Sequence, residues 1–317
     1  MLTYNRLKRT NPPMDTITII IPVYNRIEVT KQGLTYISRS VDYYNKQASS
    51  PEYNIQIVMV DDGSTDGTAE LIKKAYPYIH VVESEGDLWW TGAVNLGINY
   101  SLQHFENLKA VILQNDDVML EEDWLHVLIK TASKHPGCLI GCATSVPDSR
   151  DLINYGGRDI NAWFAKEKRI NYKVPRLNFQ KGYVTDSFDL YGRGLYIPVE
   201  VFHKTGLFDQ KRFKHRGDLD IPLRAKKEGY HLLVSYDAIV YELPQHSFSL
   251  DSQEHLTLKD IYRSLTDFRS SNNIGFIYHY SLIATRSPLQ FIIFFISNFY
   301  YNFRGICWRY CKQWLIR

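Results

Sequence analysis

Three pairs of acids lie where carboxylates can do chemistry in this 317-residue chain. Asp61 and Asp62 open the stretch VDDGSTDGTAEL (Val60–Leu71), directly after the apolar run Ile55–Met59. Asp116 and Asp117 follow the apolar run Ala110–Leu113 within LQNDDV, and Asp218 and Asp220 flank Leu219 just ahead of a helical pattern. Carboxylates on a short turn can hold Mg2+ or Mn2+, hard cations that take few protein oxygens and complete their shell with phosphate oxygens. A carboxylate beside an attacking hydroxyl can take its proton. Asp62 can instead accept the N3–H of a pyrimidine base, with Tyr24 stacking on that base or touching the ribose. Each acid also has a plainer use: Asp61 can cap its own loop, and helix N-termini favour acids by ~0.3 to 1 kcal/mol.

The elements that must position these residues alternate at βαβ spacing. Strands are expected at Thr16–Pro22, Asn54–Val60, Ile79–Glu83 and Ala110–Leu113, with helices at Val29–Tyr44, Thr68–Ala75, Thr91–His104 and Asp123–His135. The strands read as continuous apolar runs, as parallel strands buried on both faces do. The fold class is therefore α/β, a mostly parallel doubly wound sheet, and its ligands belong at the C-terminal ends of the strands. The middle, Asp148–Phe188, is polar and irregular, which predicts a loop or β-rich region meeting the acceptor. From Leu190 the α/β character returns, with an extended LYIPVEVF, a helix at Ile221–Gly229 and a strand at Leu232–Ser235.

A length of 317 residues with 44% hydrophobic residues suffices for one large core or a domain with an appendage. A net charge of +3 with scattered Lys and Arg excludes the clustered basic face of a nucleic-acid binder. Cys138, Cys142, Cys307 and Cys311 form two C-x-x-x-C pairs without zinc spacing, and are expected as reduced thiols. The N-terminal MLTYNRLKRTNPPMD is polar and has no apolar signal-peptide core, so a cytoplasmic location is expected.

Taken in order, IIIPVYNR (Ile19–Arg26), VDDGSTDGT, GDLWWTGAVNLG, NDDV, GLFD with GDLDIPLRAKKEGY, and the later His246 resemble the motif series of family-2 inverting glycosyltransferases with a GT-A fold. The Trp-Trp-Thr-Gly-Ala-x-Asn form is similar to bacterial rhamnosyltransferases and their relatives in cell-surface polysaccharide synthesis. The resemblance covers about Ile17–Ser249. It implies a nucleotide-binding half at 16–120 and an acceptor half at 121–250, with an N-terminal extension at 1–15 and a C-terminal helical region at 251–317.

The same resemblance places Pro22, Tyr24, Asn25, Arg26, Asp62, Trp90, Asn95 and Asp116 at the nucleotide. It assigns a divalent metal, Mn2+ or Mg2+, to Asp116, with Asp117 beside it and His246 completing the metal or diphosphate site. Asp218 becomes the general base and Asp220 its competitor. Arg193, Gly194 and Arg224 fall near the diphosphate or the acceptor, and Trp89 and Trp90 offer an aromatic wall to a sugar. Two departures stand out: Gln114 replaces the first acid of the common Asp-x-Asp form, and Gly217 replaces the Glu of a Glu-Asp pair. The implied donor is dTDP-rhamnose or a UDP-hexose, and the implied acceptor is a cell-surface glycan or a lipid-linked molecule. A nucleotidyltransferase would carry a Gly-rich, Lys-containing phosphate loop early in the chain, and none is present; a scaffold without turnover is the alternative that Gln114 and Gly217 keep open.

The tail LQFIIFFISNFYYNF (Leu289–Phe303) is apolar and aromatic, then basic through Arg304, Arg309, Lys312 and Arg317. A spanning helix needs roughly 20 apolar residues, so this shorter run reads as an interfacial helix on the cytoplasmic face of the inner membrane. A buried core or oligomer-interface helix is the other reading.

Overall fold

The computed structural model describes residues 14–47, 51–243 and 256–315. In chain order its elements are β1 (Thr16–Val23), α1 (Ile27–Lys46), β2 (Asn54–Asp61), α2 (Thr68–Ala75), β3 (Ile79–Glu83), α3 (Trp89–His104), β4 (Leu108–Leu113), β5 (Val118–Leu120), α4 (Trp124–Lys134) and β6 (Leu139–Ser145). There follow β7 (Arg158–Ile160), β8 (Glu167–Arg169), β9 (Val184–Asp186), β10 (Leu195–Pro198), α5 (Val199–Thr205), α6 (Asp220–Lys227), β11 (Leu232–Glu242), α7 (Leu258–Thr266), α8 (Ile274–Ala284) and α9 (Pro288–Leu315).

The main sheet runs β3-β2-β1-β4-β10-β6-β11-β5, with β9 also paired to β11. β1, β2, β3 and β4 are parallel neighbours, as are β6 and β11, whereas β10 is antiparallel to both β4 and β6. Side chains alternate across a strand, and β1 uses both faces. Ile17, Ile19 and Ile21 join a core with Leu34 and Ile37 of α1 and with Leu125 and Leu128 of α4. Ile20 points into the opposite core, with Val94 and Ile98 of α3 and Val201 and Phe202 of α5. Full burial of one such side chain is worth about 1.5–3 kcal/mol, so these two cores fix the sheet and the loops at its edge. α3 lies so close that a Cβ at Gly97 would meet Ile20 Cγ2 at 2.6 Å.

Three expectations change. LYIPVEVF is extended only as far as Pro198, whose ψ of 140° still belongs to extended backbone and makes it the N-cap of α5. The strand expected at Leu232–Ser235 continues to Glu242 across a register irregularity between Ser235 and Val240. The C-terminal region divides into three helices, α7 started by a Thr257–Asp260 capping box and α8 by the Asn273 side chain. α8 and α9 pack beside α6 through Leu219, Leu223, Tyr280 and Phe294. No helix among the described residues is long and apolar enough to cross a membrane.

Candidate active site

The loops after β1, β2, β3 and β4 meet at the C-terminal edge of the parallel strands, where ligands bind in open α/β sheets. Pro22 is the penultimate residue of β1, in register with Val60 of β2, and Tyr24 beyond it is 57% exposed. Asn25, at φ +48°, locks two loops together: its N–H donates to Ser64 Oγ at 2.9 Å and its Oδ1 accepts from the Thr65 N–H at 2.7 Å. Asp61 accepts the Ser64 N–H at 2.8 Å, and Asp66 accepts both the Ile27 and the Thr68 N–H at 3.1 Å. Asp62 turns to the next loop. Its carboxylate accepts the N–H of Leu88 at 3.0 Å, the N–H of Trp89 at 2.8 Å and the Ser84 hydroxyl at 2.8 Å. This holds Trp89 at φ +57°, a backbone region that is strained for a bulky residue. Asp62 therefore builds the β3–α3 loop, whatever it offers a base.

Asp116 and Asp117 leave β4 in different directions. Asp116 has no exposed surface; its Oδ2 accepts the Thr30 hydroxyl of α1 at 2.8 Å, and its Oδ1 forms a 2.8 Å ion pair with Arg26 Nη2 without hydrogen-bond alignment. Burial pushes the Asp116 carboxyl up to about 6, against the pull of Arg26 and Thr30. Arg26 also reaches Asp117 Oδ2 at 3.3 Å, and its own side chain is 42% exposed. Of the two acids, Asp117 is the one whose charge acts on Arg193. The expectation that metal coordination rests mainly on Asp116 meets this geometry: that carboxylate is fully buried beneath α1, whereas Asp117, itself buried and also paired with Arg26, lies close enough to Arg193 for its charge to act there. Gln114, in the departing position, is itself buried.

Asp218 lies half-buried in a single 3-10 turn at Gly217–Leu219. The Gly192 N–H donates to Asp218 Oδ2 at 3.1 Å. A Cβ on Gly192 would meet Trp90 Cζ2 at 2.5 Å and Asp218 Cβ at 3.2 Å, so the chain is pressed onto both. The next residue, Arg193, pairs with Glu242 at 2.6 Å; burial works against its charge, but Glu242, Asp117 and Asp218 together outweigh it and raise the guanidinium pKa. Gly194, at φ +72°, bonds its N–H to the Leu113 carbonyl of β4 at 2.9 Å. Its Cβ would strike Cys142 Sγ at 2.6 Å, so Gly194 shapes the turn.

Three expected ligand residues are supports. Asp220 is 1% exposed, pairs with Arg224 at 2.6 Å and accepts the Asp209 N–H at 2.8 Å. Arg224 spends its guanidinium on Asp220 and on the carbonyls of Thr205 and Leu207, which leaves it holding α6 to the preceding loop. Asn95 exchanges two hydrogen bonds with the Phe208 backbone, at 2.8 and 3.0 Å. All three hold internal partners in this structure, and Asp220 and Asn95 are buried as well. His246 lies outside the described residues.

Sequence reading missed several neighbours. Asn115 is one: its Oδ1 accepts the ring N–H of Trp90 at 3.1 Å. Trp89 meets Phe268, between α7 and α8, edge-on at 4.7 Å and His215 at 6.1 Å, with Lys214 Nζ over both the Trp89 and the Phe268 rings. Burial and the nearby Arg216 charge lower the His215 pKa. Glu242 and Phe268 had no local signal, since each reaches the site only through tertiary packing. Gly217, noted in the sequence as a departure, has a steric reason in the fold: a Cβ there would come 2.2 Å from Thr91 Oγ1.

Residues 18–195 match the family model described as glycosyl transferase family 2. The chain belongs to this family. It is a glycosyltransferase. An N-acetylglucosaminyl-diphospho-decaprenol L-rhamnosyltransferase of Mycobacterium tuberculosis is 25% identical over 274 residues, covering 80% of this chain and 86% of that protein. The glycosyltransferase GlyA of Streptococcus pneumoniae is 31% identical over 119 residues, 37% of this chain and 15% of that one. Among solved structures, a mannosyltransferase of Pyrobaculum calidifontis in complex with GDP-Man and Mn2+ superposes with a TM-score of 0.55 at 15% identity, covering 95% of this glycosyltransferase and 73% of that chain. GalNAc-T7 with UDP, GalNAc and Mn2+ gives 0.53 at 16% identity, covering 94% and 57%. These likenesses establish the shared GT-A fold.

Proposed function

We propose that this glycosyltransferase moves a sugar, with inversion, from a nucleoside-diphosphate sugar to a hydroxyl of a cell-surface glycan or lipid-linked acceptor. dTDP-rhamnose is the leading donor and a UDP-hexose the second, and the rhamnosyltransferase relative supports that order. One observation carries the reading: the half-buried carboxylate of Asp218 is fixed by the Gly192 N–H, close enough to Arg193 for its charge to act there together with that of Asp117. Asp218 takes the proton of the acceptor hydroxyl as that oxygen bonds to the anomeric carbon. The bond from that carbon to the diphosphate oxygen breaks, and the nucleoside diphosphate leaves with the electron pair. Arg193 supplies fixed positive charge close to that departure, where preorganised charge acts most strongly.

A divalent cation, Mn2+ or Mg2+, fits the donor set. No group of three or more His, Cys, Asp or Glu side chains among the described residues can enclose a metal. A cation held by one or two carboxylates and completed by substrate phosphates needs no such group. Asp117, with Asp116 behind it, would hold it, and bound there it neutralises charge on the leaving diphosphate. Tyr24, Asn25 and Arg26 border the nucleoside in this reading.

The protein docks on the cytoplasmic face of the inner membrane through α9, in keeping with a lipid-linked acceptor. From Phe268 to Arg317 the sequence has no Asp or Glu but carries Arg269, Arg286, Arg304, Arg309, Lys312 and Arg317. Leu289, Ile292, Ile296, Tyr300 and Trp308 form an exposed stripe along α9, and Ile274, Tyr278 and Leu282 form another on α8. Apolar stripes bordered by cations suit an anionic lipid surface.

Asp218→Asn is the direct test of the chemistry. It is expected to keep the fold and nucleotide binding and to lose at least 100-fold in transfer; near-normal transfer by a folded variant would remove Asp218 from the mechanism.

A further inference from the structure

The strongest polar cluster outside the site joins the C-terminal helices to the segment that holds the base. Asp189 has no exposed surface, yet its carboxylate accepts Arg158 Nε at 2.9 Å, a second Arg158 nitrogen, and the Tyr280 hydroxyl of α8 at 3.0 Å. Arg158 is steadied from its other side by Glu167 at 3.1 Å. The Asp189 carbonyl accepts Ser187 Oγ at 2.6 Å and the Tyr155 hydroxyl at 3.2 Å. Four side chains from three parts of the chain thus bring five donor atoms to one buried residue. A buried carboxylate is tolerated only when paired and hydrogen-bonded in this way, and removing one partner exposes the cost.

The location of this cluster gives it a consequence. Three residues downstream is Gly192, whose N–H holds Asp218, and then Arg193. The far end of the segment is fixed by the Gly194 bond to β4. Asp189 is its near anchor, and Tyr280 ties that anchor to α8. The same C-terminal region reaches the opposite wall through Phe268 against Trp89, and packs on the base-bearing loop through Phe276, which contacts Phe213 and lies under Arg216.

We infer that Asp189, clamped by Arg158 and by Tyr280 from the C-terminal region, is a positioning residue for Asp218, so that the C-terminal helices are a working part of the catalytic centre. The clamp sets where the Gly192 N–H points, and through it where the Asp218 carboxylate meets the acceptor hydroxyl. This rests on the assignment of Asp218 as base.

Tyr280→Phe tests it, because it deletes one hydroxyl and keeps the ring against Phe276 and Phe294. Transfer by the full-length protein is measured per nucleotide-binding site, with sites counted by titration with UDP or dTDP. The expected result is a roughly tenfold lower kcat with unchanged donor KM, and a larger fraction of donor lost to water. Ile277→Ala on the same helix removes buried packing without touching Asp189; it is expected to lower Tm while kcat per site stays within twofold of the parent. The inference is overturned if Tyr280→Phe keeps full kcat per site, or if Ile277→Ala loses as much. Because Asp218→Asn is assayed alongside, a Tyr280→Phe variant with normal kcat beside an inactive Asp218→Asn would sink the clamp alone, whereas an active Asp218→Asn would sink the base assignment beneath it.

Discussion

Thr91 and Gly217 touch so closely that a Cβ on Gly217 would lie 2.2 Å from the Thr91 hydroxyl and 2.8 Å from its methyl. The start of α3 is thereby set directly against the turn that carries Asp218. Overpacking of this kind costs typically 1–3 kcal/mol. Gly217→Ala is therefore expected to destabilise the protein by about that much in urea titration, and Thr91→Ala in the same chain to recover most of it. Additive losses in the double-mutant cycle would show that the two residues do not share the space.

Asp116 gives a pH-dependent stability with a definite sign. Its carboxyl is raised from 3.8 to about 6 by burial, so the folded state binds the proton more tightly than the unfolded chain does. The stability this confers is complete below the unfolded value and is lost as pH rises through about 6. Asp116→Asn keeps the Thr30 contact and removes the charge. In metal-free buffer it is expected to gain on the parent protein by up to ~3 kcal/mol between pH 4 and 7, at 1.36 kcal/mol per pKa unit. A stability difference that stays flat across that range would contradict the burial argument.

Asp220 and Asp218 are expected to separate cleanly in mutagenesis. Asp220 is buried and its partner Arg224 partly exposed, so breaking this pair costs up to about 3–5 kcal/mol, the range for a fully buried one. Asp220→Ala should thus lower the denaturation midpoint sharply, while its folded fraction transfers sugar at a rate within a few-fold of the parent. Loss of turnover with full stability would make Asp220 a participant in the chemistry.

The α9 stripe is checked by flotation with liposomes. Binding is expected to phosphatidylglycerol-containing vesicles and to weaken in high salt and with phosphatidylcholine alone. Burial of an isoleucine is worth about 1.5–3 kcal/mol, so Ile292→Glu or Ile296→Glu should weaken partition by roughly 10- to 100-fold. A parent protein that ignores vesicles and elutes as a dimer, with Ile296→Glu monomeric, would assign the face to a second copy.

How much of this was legible in the sequence depended on whether the signal was local. The strand expected at Ile79–Glu83 and the helix expected at Thr68–Ala75 lie where the sequence places them, and β1, buried at every position, shows why central parallel strands read as apolar runs. LYIPVEVF misleads because its β-branched residues suit a strand, while Pro198 halfway along starts a helix. Consecutive acids are harder still. Nothing in the letters of Asp116-Asp117 says which one turns under α1; Thr30, 86 positions away, decides that. Asp220 and Arg224 read as ligands because charged residues near a helix start look available, and only the fold shows them spent on each other. Glu242, Phe268 and Tyr280 gave no sign at all, since their roles exist only through contacts made far along the chain.

Cys142 takes no part in the chemistry, but it lies fully buried under the Gly194 turn, with its Sγ donating to the Gly194 carbonyl at 3.2 Å and its thiol pushed up to about 12 by burial. A thiol reagent reaches it only when the sheet parts next to the segment that holds Asp218. Its labelling rate, followed separately from those of the more accessible Cys138, Cys307 and Cys311, is thus an internal clock for how often the sheet opens there, readable without an engineered cysteine.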